Sequence, residues 1–543
     1  MFKRLITSQQ TSILSAAFVI AIMVAASRIL GLIRNRLLTD RFSEAQLDPY
    51  FAAFRIPNFV FEILIMGAIS VAFIPVFTAL ISKNEKSEAF KVASSVINIS
   101  VAFLGFLSLI FFIFTPQFVA ILVPGFDADK QAQVASFARI MLIFQVLPLV
   151  VGNFFTGMLQ SFKQFLIPAV APVVYNLGSI LGIVFLTPYY GLYAPVYGIV
   201  IGAFLFLLIQ IPLLSQFNYK HTFLFDTKRK GVRQIGKLML PRTLSVAASQ
   251  IDATVDIILA SLMSAGSVTV FTLAQQLSLV PLGLFGLPIA QAALPTFSEY
   301  AARGDREKLK SSLLTSLHQI LFFILPAGAF LVVMRIPVVR LVYGADLFTW
   351  TATVLTGRTL AFFAVSLFAQ ATVHLLSRGF FAIHDSKTPV VIAVISIAAN
   401  TILSLLFVFM FSMPIWALAL AASIASTLNA LLLLLYLDKR LGGFNRKKLF
   451  LPAIKIGTAT LIMGLSLYVP MKLLDQLVFD TTLTLNLLLL TGTASCIGLA
   501  TYLFCAWLFN IEEVLTFIKF AQKLVKIKDI LVEPSQEVGP EKR

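Results

Sequence analysis

Residues 191–216 read GLYAPVYGIVIGAFLFLLIQIPLLSQ and contain no charged side chain. About 20 apolar residues in a helix cross the hydrocarbon core of a bilayer, so this run predicts one membrane-spanning helix. We therefore predict an all-α polytopic membrane protein with about 14 transmembrane helices, because similar runs recur along the whole chain. The predicted spans lie near 13–33, 50–82, 92–123, 134–161, 165–187, 191–216, 238–264, 270–298, 311–334, 353–377, 388–411, 415–437, 452–471 and 483–509.

The overall composition excludes a water-soluble enzyme. Of the 543 residues, 59% are hydrophobic and 12% are charged, and the mean hydropathy is +0.92. A soluble domain is closer to half apolar and a quarter charged. The sequence has no GxxxxGK[ST] loop, no GxGxxG after a strand and no HExxH motif, so neither ATP hydrolysis nor metal catalysis is expected. We expect a protein that is not an enzyme and needs no cofactor.

The distribution of Lys and Arg predicts the orientation. When successive loops are assigned to alternate sides, one side carries 29 of these residues and the other carries 8. The side richer in Lys and Arg is cytoplasmic, so both termini are predicted to lie in the cytoplasm. The net charge of +17 then belongs to membrane-flanking loops, and no nucleic-acid partner is expected.

An internal repeat divides the chain. IPVFT at 74–78 ends the second span and LPTFS at 294–298 ends the eighth, each after a segment interrupted by Gly and Pro. Two parallel six-helix lobes follow, with the transport site between them, because broken helices at matching positions mark such sites. The predicted domains are an N-terminal lobe at 1–216, a basic linker at 217–237, a C-terminal lobe at 238–437, two further spans at 452–509 and an amphipathic, then disordered tail at 510–543.

Charged side chains inside the first two spans need a reason, because each costs about 2.5–3.5 kcal/mol at mid-helix. One interpretation is a cationic cavity, since the planar guanidinium of arginine binds pyrophosphate through bidentate hydrogen bonds. The other is local ion pairing, of Arg55 with Asp48 and of Arg34 with Asp40. The polar residues concerned are Arg28 and Arg34 in span one, and Asp48, Arg55 and Asn58 at the start of span two.

The second lobe carries polar stripes of a different kind. Ser245, Ser249, Asp252 and Asp256 share one face of span seven, and Ser396, Asn400 and Ser404 share one face of span eleven. Carboxylate, amide and hydroxyl oxygens suit a hard cation or a proton. Pairing of the aspartates with Arg242 or with an arginine of the first lobe is an equally good interpretation.

Several motifs resemble those of the MurJ/MviN family of lipid II flippases, which belongs to the multidrug/oligosaccharidyl-lipid/polysaccharide exporter superfamily. The pattern SRILGLIR at 27–34 is followed by DPYFAAFRIPN at 48–58, GA at 67–68 and FIP at 73–75. AGSV at 265–268 and LP at 294–295 continue the resemblance in the second lobe. The fourteen predicted spans also match the family, whereas drug exporters of the superfamily usually have twelve.

The resemblance implies a V-shaped, two-lobed flippase of the bacterial cytoplasmic membrane. It would move undecaprenyl-pyrophosphate-linked peptidoglycan precursor to the outer leaflet by alternating access, with the last two spans forming a groove for the lipid tail. Arg28, Arg34, Arg55, Asp48 and Asn58 match the family's first-lobe substrate residues. The position of Gln276 faces the same cavity. The positions of Asp256 and Asn400 form a sodium site in some members, with Asp252 on the same stripe.

The chain departs from the family pattern at four positions. Phe61 stands where the family has an arginine after Pro-Asn, and Met66 replaces the Glu of its EGA motif. Gln276 replaces the arginine of its A-x-R-L pattern, and Ser404 replaces the second carboxylate of the sodium site. Anion recognition is therefore expected to depend on fewer arginines, with coupling to Na⁺ or H⁺ as a further expectation.

Two alternatives to a lipid II flippase remain at this point. One is a flippase for another polyprenyl-pyrophosphate-linked glycan, which sequence does not distinguish. The other is a cation-coupled drug exporter, which a basic first-lobe cavity disfavours because cationic drugs need an acidic one. The expected partners are the lipid-linked glycopeptide, membrane lipids and cell-wall synthesis proteins, and the chain is expected to be a monomer.

Overall fold

The computed structural model describes residues 13–68, 72–477, 480 and 483–514. Every regular element in these ranges is a helix, which confirms the predicted all-α class. The amphipathic tail predicted over 510–543 lies outside the described residues beyond residue 514.

The helices follow the chain in two long series. The first lobe contains α1 (Ile13–Arg41), α2 (Glu44–Ala53), α3 (Arg55–Ala68), α4 (Ile74–Ser82), α5 (Lys86–Ile113), α6 (Thr115–Leu122), α7 (Ala128–Phe144), α8 (Val146–Ser161), α9 (Leu166–Leu181), α10 (Thr187–Tyr190), α11 (Tyr193–Leu208) and α12 (Ile211–Gln216). The second contains α13 (Lys230–Ser261), α14 (Ser267–Pro281), α15 (Leu287–Ala302), α16 (Arg306–Val333), α17 (Arg335–Tyr343), α18 (Trp350–Val365), α19 (Leu367–Ala382), α20 (Lys387–Leu405) and α21 (Trp416–Leu441), before α22 (Arg446–Leu477) and α23 (Thr484–Leu508).

Ten helical segments of the described residues are long and apolar enough to cross a membrane, or eleven if the bent pair α18 and α19 is one span. The other three predicted spans correspond to α1, to the broken stretch α2–α4 and to α13. They are helical over their described residues. The count of fourteen stays a prediction, and these three stretches carry the predicted charged site residues of both lobes.

In the described part of the chain, three spans contain a complete π-helical turn. These turns cover Gly182–Leu186 in span five, Leu282–Gly286 in span eight and Leu406–Met410 in span eleven, and residues 72–73 of span two are also π-helical. Such turns interrupt the regular hydrogen-bond ladder and are frequent at functional sites. Spans two and five of one half therefore match spans eight and eleven of the other, as a repeat of six spans requires.

Small residues bring α9 and α11 into close contact. A Cβ at Gly182 would lie 2.1 Å from Cα of Gly198, and one at Gly178 would lie 2.6 Å from Cα of Gly202. Backbones approach this closely only where side chains are absent. The contact fixes α9, which carries Tyr175 on the wall of the cavity described below.

Part of the predicted linker between the lobes is helical. Helix α13 begins at Lys230, inside the segment 217–237 that was predicted as the linker, so the irregular part ends at Arg229. Helices α22 and α23 pack on each other, and α22 packs along α16 of the second lobe. The domain boundaries at 216, 238, 437 and 452 themselves stay predictions.

Candidate functional site

A central cavity of about 550 Å³ lies between the two lobes. Four of the residues predicted for the substrate site line its wall: Arg34, Arg55, Asn58 and Gln276. Both arginines belong to the first lobe, and Gln276 belongs to α14 of the second. The cavity therefore has a cationic wall facing a neutral amide wall.

The Arg34 guanidinium is held by an amide bridge between the lobes. Its Nε and Nη2 atoms donate to Oδ1 of Asn35 at 3.2 and 3.0 Å. Nδ2 of Asn35 in turn donates to Oε1 of Gln276 at 2.5 Å. The predicted alternative, an ion pair between Arg34 and Asp40, is wrong, because Asp40 lies 3.8 Å from Arg41 instead.

Arg55 reaches from α3 to α13 of the second lobe. Its Nε donates to Oγ1 of Thr254 at 2.9 Å, and its Nη2 donates to Oε1 of Gln250 at 2.6 Å and to the Gln250 carbonyl oxygen. The Gln250 amide also donates to Glu62. The predicted ion pair of Arg55 with Asp48 is therefore wrong as well. One arginine instead joins the cavity wall to the helix that carries the two aspartates.

Arg28 does not line the central cavity. It lines a neighbouring cavity of about 420 Å³ with Gln160 and Phe165, and Pro168 and Pro172 line both cavities. Its guanidinium packs over the π-helical turn of the second lobe, where a Cβ at Gly283 would lie 2.2 Å from Nη2. The Nε atom is buried without a hydrogen-bond partner among the described residues.

Asp48 serves the lobe interface instead of the cavity. Its side chain is 1% exposed, and Oδ2 accepts a hydrogen bond from the Gly266 amide at 2.6 Å. Oδ1 accepts hydrogen bonds from the amide and the hydroxyl of Thr269, both at 2.9 Å. A carboxylate at this position satisfies the free N–H groups of the first turn of α14 and favours its dipole. Asp48 is therefore the one predicted substrate residue that lines neither the central cavity nor the cavity of Arg28.

Further polar contacts close the lobes around Asp48. Glu44 accepts a hydrogen bond from Oγ1 of Thr349 at 2.7 Å. Oγ1 of Thr39 donates to the Tyr343 carbonyl at 2.8 Å, and Nη1 of Arg36 donates to the Leu341 carbonyl at 3.0 Å. We call the contacts of α1 and α2 with α14, α17 and α18 the interlobe seal.

The predicted cation residues meet beside Arg55. Nδ2 of Asn400 donates to Asp252 at 3.0 Å and lies 3.5 Å from Asp256, and Asp256 is 5% exposed. Asn400 Oδ1 and Ser404 Oγ are buried and have no hydrogen-bond partner among the described residues. Two unsatisfied oxygens one helical turn apart, next to two carboxylates, fit a small cation. The side chains of Arg242, Ser245 and Ser249 lie outside the described residues.

The sequence analysis missed part of the cavity wall. Gln145, Asn153 and Thr156 line it from the first lobe, and Asn153 and Thr156 lie on α8. These polar residues interrupt an otherwise apolar span, which is the signal that identified the stripes of spans seven and eleven. Phe61 also lines the cavity and supplies an apolar surface where the family has an arginine. The side chain of Met66 is outside the described residues.

Two apolar cavities flank α22. One of about 660 Å³ lies between α16 and α22 and includes Val332 and Leu465. The other, of about 560 Å³, is lined by Phe285, Phe322 and Leu499. Both are walled mainly by hydrocarbon, so they suit an acyl or polyprenyl chain.

Comparisons with known proteins agree with this architecture. The family model described as "Lipid II flippase MurJ" matches residues 42–488. The probable lipid II flippase of Bdellovibrio bacteriovorus is 29% identical over 92% of this chain and 96% of its own length, and that of Thermotoga maritima is 29% identical over 81% and 86%.

Solved structures show the same fold. A lipid II flippase in an inward closed conformation superposes with a TM-score of 0.74 at 25% identity, over 92% of this chain and 100% of its own. An inward-facing multidrug transporter of the MOP superfamily reaches a TM-score of 0.65 at 16% identity, over 77% of this chain and 94% of its own. The second match concerns the fold alone.

Proposed function

The chain belongs to the MurJ family of lipid II flippases, and we propose that it moves lipid II from the inner to the outer leaflet of the bacterial cytoplasmic membrane by alternating access. It is a multi-pass transporter and not an enzyme. The observation that carries the proposal is the cavity between the lobes, with Arg34 and Arg55 in its wall. A drug exporter for cations is disfavoured because this wall repels them.

Arginines of the first lobe bind the pyrophosphate. A lipid-linked pyrophosphate brings roughly two negative charges into a site of lowered dielectric, where unmatched charge is costly. Arg34 and Arg55 meet it in the central cavity, with Asn58 as a neutral hydrogen-bonding group. Arg28 lines the adjoining cavity and has a buried, unpartnered Nε among the described residues, and we assign it to the headgroup as it enters or leaves.

The interlobe seal holds the cavity closed on the outer side. This side follows from the Lys and Arg distribution, which places both termini in the cytoplasm. Because Asp48 and Glu44 on one lobe hold α14 and α18 on the other, the seal must break before lipid II can leave outward. The seal and the cavity then form two parts of one alternating-access cycle.

A cation site couples to the substrate site through Arg55. Asp256, Asn400 and Ser404 would hold Na⁺, or Asp256 would take a proton, with Asp252 as the neighbouring carboxylate. A bound cation would neutralise the aspartates on which the Arg55 charge now acts. Arg55 would then interact more freely with an anion in the cavity. No enzymatic cofactor is part of this proposal.

The polyprenyl tail lies along the last two spans. The apolar cavities beside α22 would hold the tail, and part of their wall comes from the segment 452–509 assigned to it. A single chain contains both lobes and this groove, so we propose that it works as a monomer. Cell-wall synthesis proteins that make or use lipid II are its expected partners.

The proposal is tested in spheroplasts of a bacterium depleted of its own lipid II flippase. The fraction of lipid II that an impermeant headgroup reagent modifies from outside measures transport. The chain should restore this fraction, and Arg34→Ala or Arg28→Ala should abolish it, because losing a desolvated bidentate arginine costs about 2–5 kcal/mol. Arg28→Lys should restore transport only partly, since lysine lacks the planar guanidinium that makes bidentate hydrogen bonds.

Lys472→Ala, which changes an exposed cation away from the cavity, is the matched control and should transport normally. Normal transport by both arginine variants, at equal protein level, would show that the cationic cavity is not the substrate site. Failure of the unmodified chain to move lipid II, together with transport of another polyprenyl-pyrophosphate glycan, would establish the alternative substrate.

A further inference from the structure

A cavity of about 740 Å³ lies apart from the central site, where α16 and α22 begin and α23 ends. All three helix ends are on the side rich in Lys and Arg. Its wall combines charged groups with apolar ones, such as Leu314 and Leu451. It shares no lining residue with the central cavity, so the transport mechanism does not account for it.

Seven charged side chains line this cavity. Three of them lie in the first turns of α16 and form ion pairs there, Lys310 with Glu307 and Lys308 with Asp305. The other four form two sets. Lys448 and Lys455 are two turns apart on α22, and Glu512 and Glu513 follow α23. None of these four makes an ion pair within 4.0 Å of another described residue. These two lysines and two glutamates therefore stay separated, although they line the same cavity. Lys455 and Glu513 are half-buried, and groups in that position gain from a partner that matches their charge.

Glu513 also lines the apolar cavity beside α22. The charged cavity thus opens onto a hydrocarbon surface, and it lies where helices enter the membrane. An amphipathic ligand suits this arrangement better than a free soluble ion. The N-terminus of α22, which has no acidic residue in its first turn, adds partial positive charge on the lysine side.

We propose that this cavity binds the headgroup of a zwitterionic phospholipid, with the phosphate at Lys448 and Lys455 and a primary ammonium at Glu512 and Glu513. Phosphatidylethanolamine has both groups, joined by a two-carbon bridge. Its ammonium donates three hydrogen bonds, which carboxylates accept. A purely anionic headgroup would leave the two glutamates unmatched. This site is independent of the substrate that the central cavity moves.

The full-length protein is purified and exchanged into nanodiscs of phosphatidylcholine, and retained lipid is measured by native mass spectrometry after titration with phosphatidylethanolamine or phosphatidylglycerol. Phosphatidylethanolamine should bind about tenfold more tightly than phosphatidylglycerol. The double variant Lys448→Ala/Lys455→Ala should lose about tenfold in that affinity, the equivalent of one or two charge-assisted hydrogen bonds. The double variant Glu512→Gln/Glu513→Gln should reverse the preference toward phosphatidylglycerol.

The matched control is Lys86→Ala/Lys91→Ala, which removes two exposed lysines of α5 and should leave the affinity unchanged. Single variants Lys455→Gln and Glu513→Gln give the same test if a double variant does not fold. Three results would each overturn the proposal. The first is equal binding of the two lipids, and the second is tighter binding of phosphatidylglycerol to the unmodified chain. The third is an equal loss of affinity in the control and the test variants. None of these results depends on lipid II transport.

Discussion

Replacing Asp48 by asparagine should open the interlobe seal. Asparagine keeps the size of the side chain but turns one acceptor oxygen into an N–H donor. Whichever way the amide faces, it sets this donor against the Gly266 amide or against the two donors of Thr269. In the closed state at least one buried N–H group then loses its acceptor.

The structure sets the magnitude. A hydrogen bond to a charged acceptor contributes about 1.5–3 kcal/mol, and Asp48 accepts three of them. Asparagine is less costly to bury than a carboxylate, which offsets part of the loss. A net change of about 1.5–3 kcal/mol against the closed state corresponds to a shift of roughly 10- to 150-fold in the equilibrium between closed and open seal.

The assay uses a single reporter cysteine on the cavity wall. Thr272→Cys lines the central cavity, and it is placed in a background where Cys496 and Cys505 are replaced by Ser and Ala. The rate of labelling by an impermeant maleimide from outside measures how often the seal opens. With Asp48→Asn this rate should rise about tenfold or more, and lipid II transport should fall because the cycle rests in the open state.

Asp129→Asn is the matched control, since Asp129 is an exposed carboxylate on the same side and should not alter the labelling rate. Both variants must be present in the membrane at the level of the unmodified chain. An unchanged labelling rate in Asp48→Asn would refute the assignment of Asp48 to the seal.

Three further predictions follow from the contacts of single residues. Gln276→Arg should lower transport although it restores the family residue, because the new cation faces the Nδ2 donor of Asn35. The double variant Gln276→Arg/Asn35→Asp should recover transport. A transport assay on the single and double variants decides this. Asp256→Ala should reduce transport more than Asp252→Ala does, because Asp256 is the more deeply buried of the two. It should also reduce the dependence of transport on Na⁺ or on a proton gradient more strongly. Equal activity of both variants at full expression would show that the two aspartates have only a structural role. Burial lowers the pKa of His221 in the linker, where its Nε2 lies 2.8 Å from Asn98 and its Nδ1 lies 3.0 Å from Tyr219. The linker should therefore stay docked above pH 6.5, the ordinary pKa of histidine, and should loosen as the pH falls through the lowered value. Hydrogen exchange of the linker would detect this pH dependence, and His221→Gln should abolish it.

Sequence alone was sufficient for the class of protein, and it pointed to four residues that the structure brings to one cavity. A lipid environment requires long apolar helices whose backbone groups are satisfied internally, so local hydropathy predicts the helices without tertiary information. For the same reason, a charged residue inside a span is conspicuous. Arg34, Arg55, Asn58 and Gln276 were predicted together and share one cavity.

Only the tertiary structure decided which partner each polar residue has. The bond of Asn35 to Gln276, that of Asp48 to Gly266 and that of Arg55 to Gln250 join residues about 200 positions apart in the chain. Sequence spacing describes neighbours on one helix, so it suggested local ion pairs for Asp48 and Arg34. Contacts between lobes depend on how whole helices pack. They place Asp48 at the end of α14, Arg55 beside the aspartates of α13, and Arg28 against the π-helical turn at Gly283.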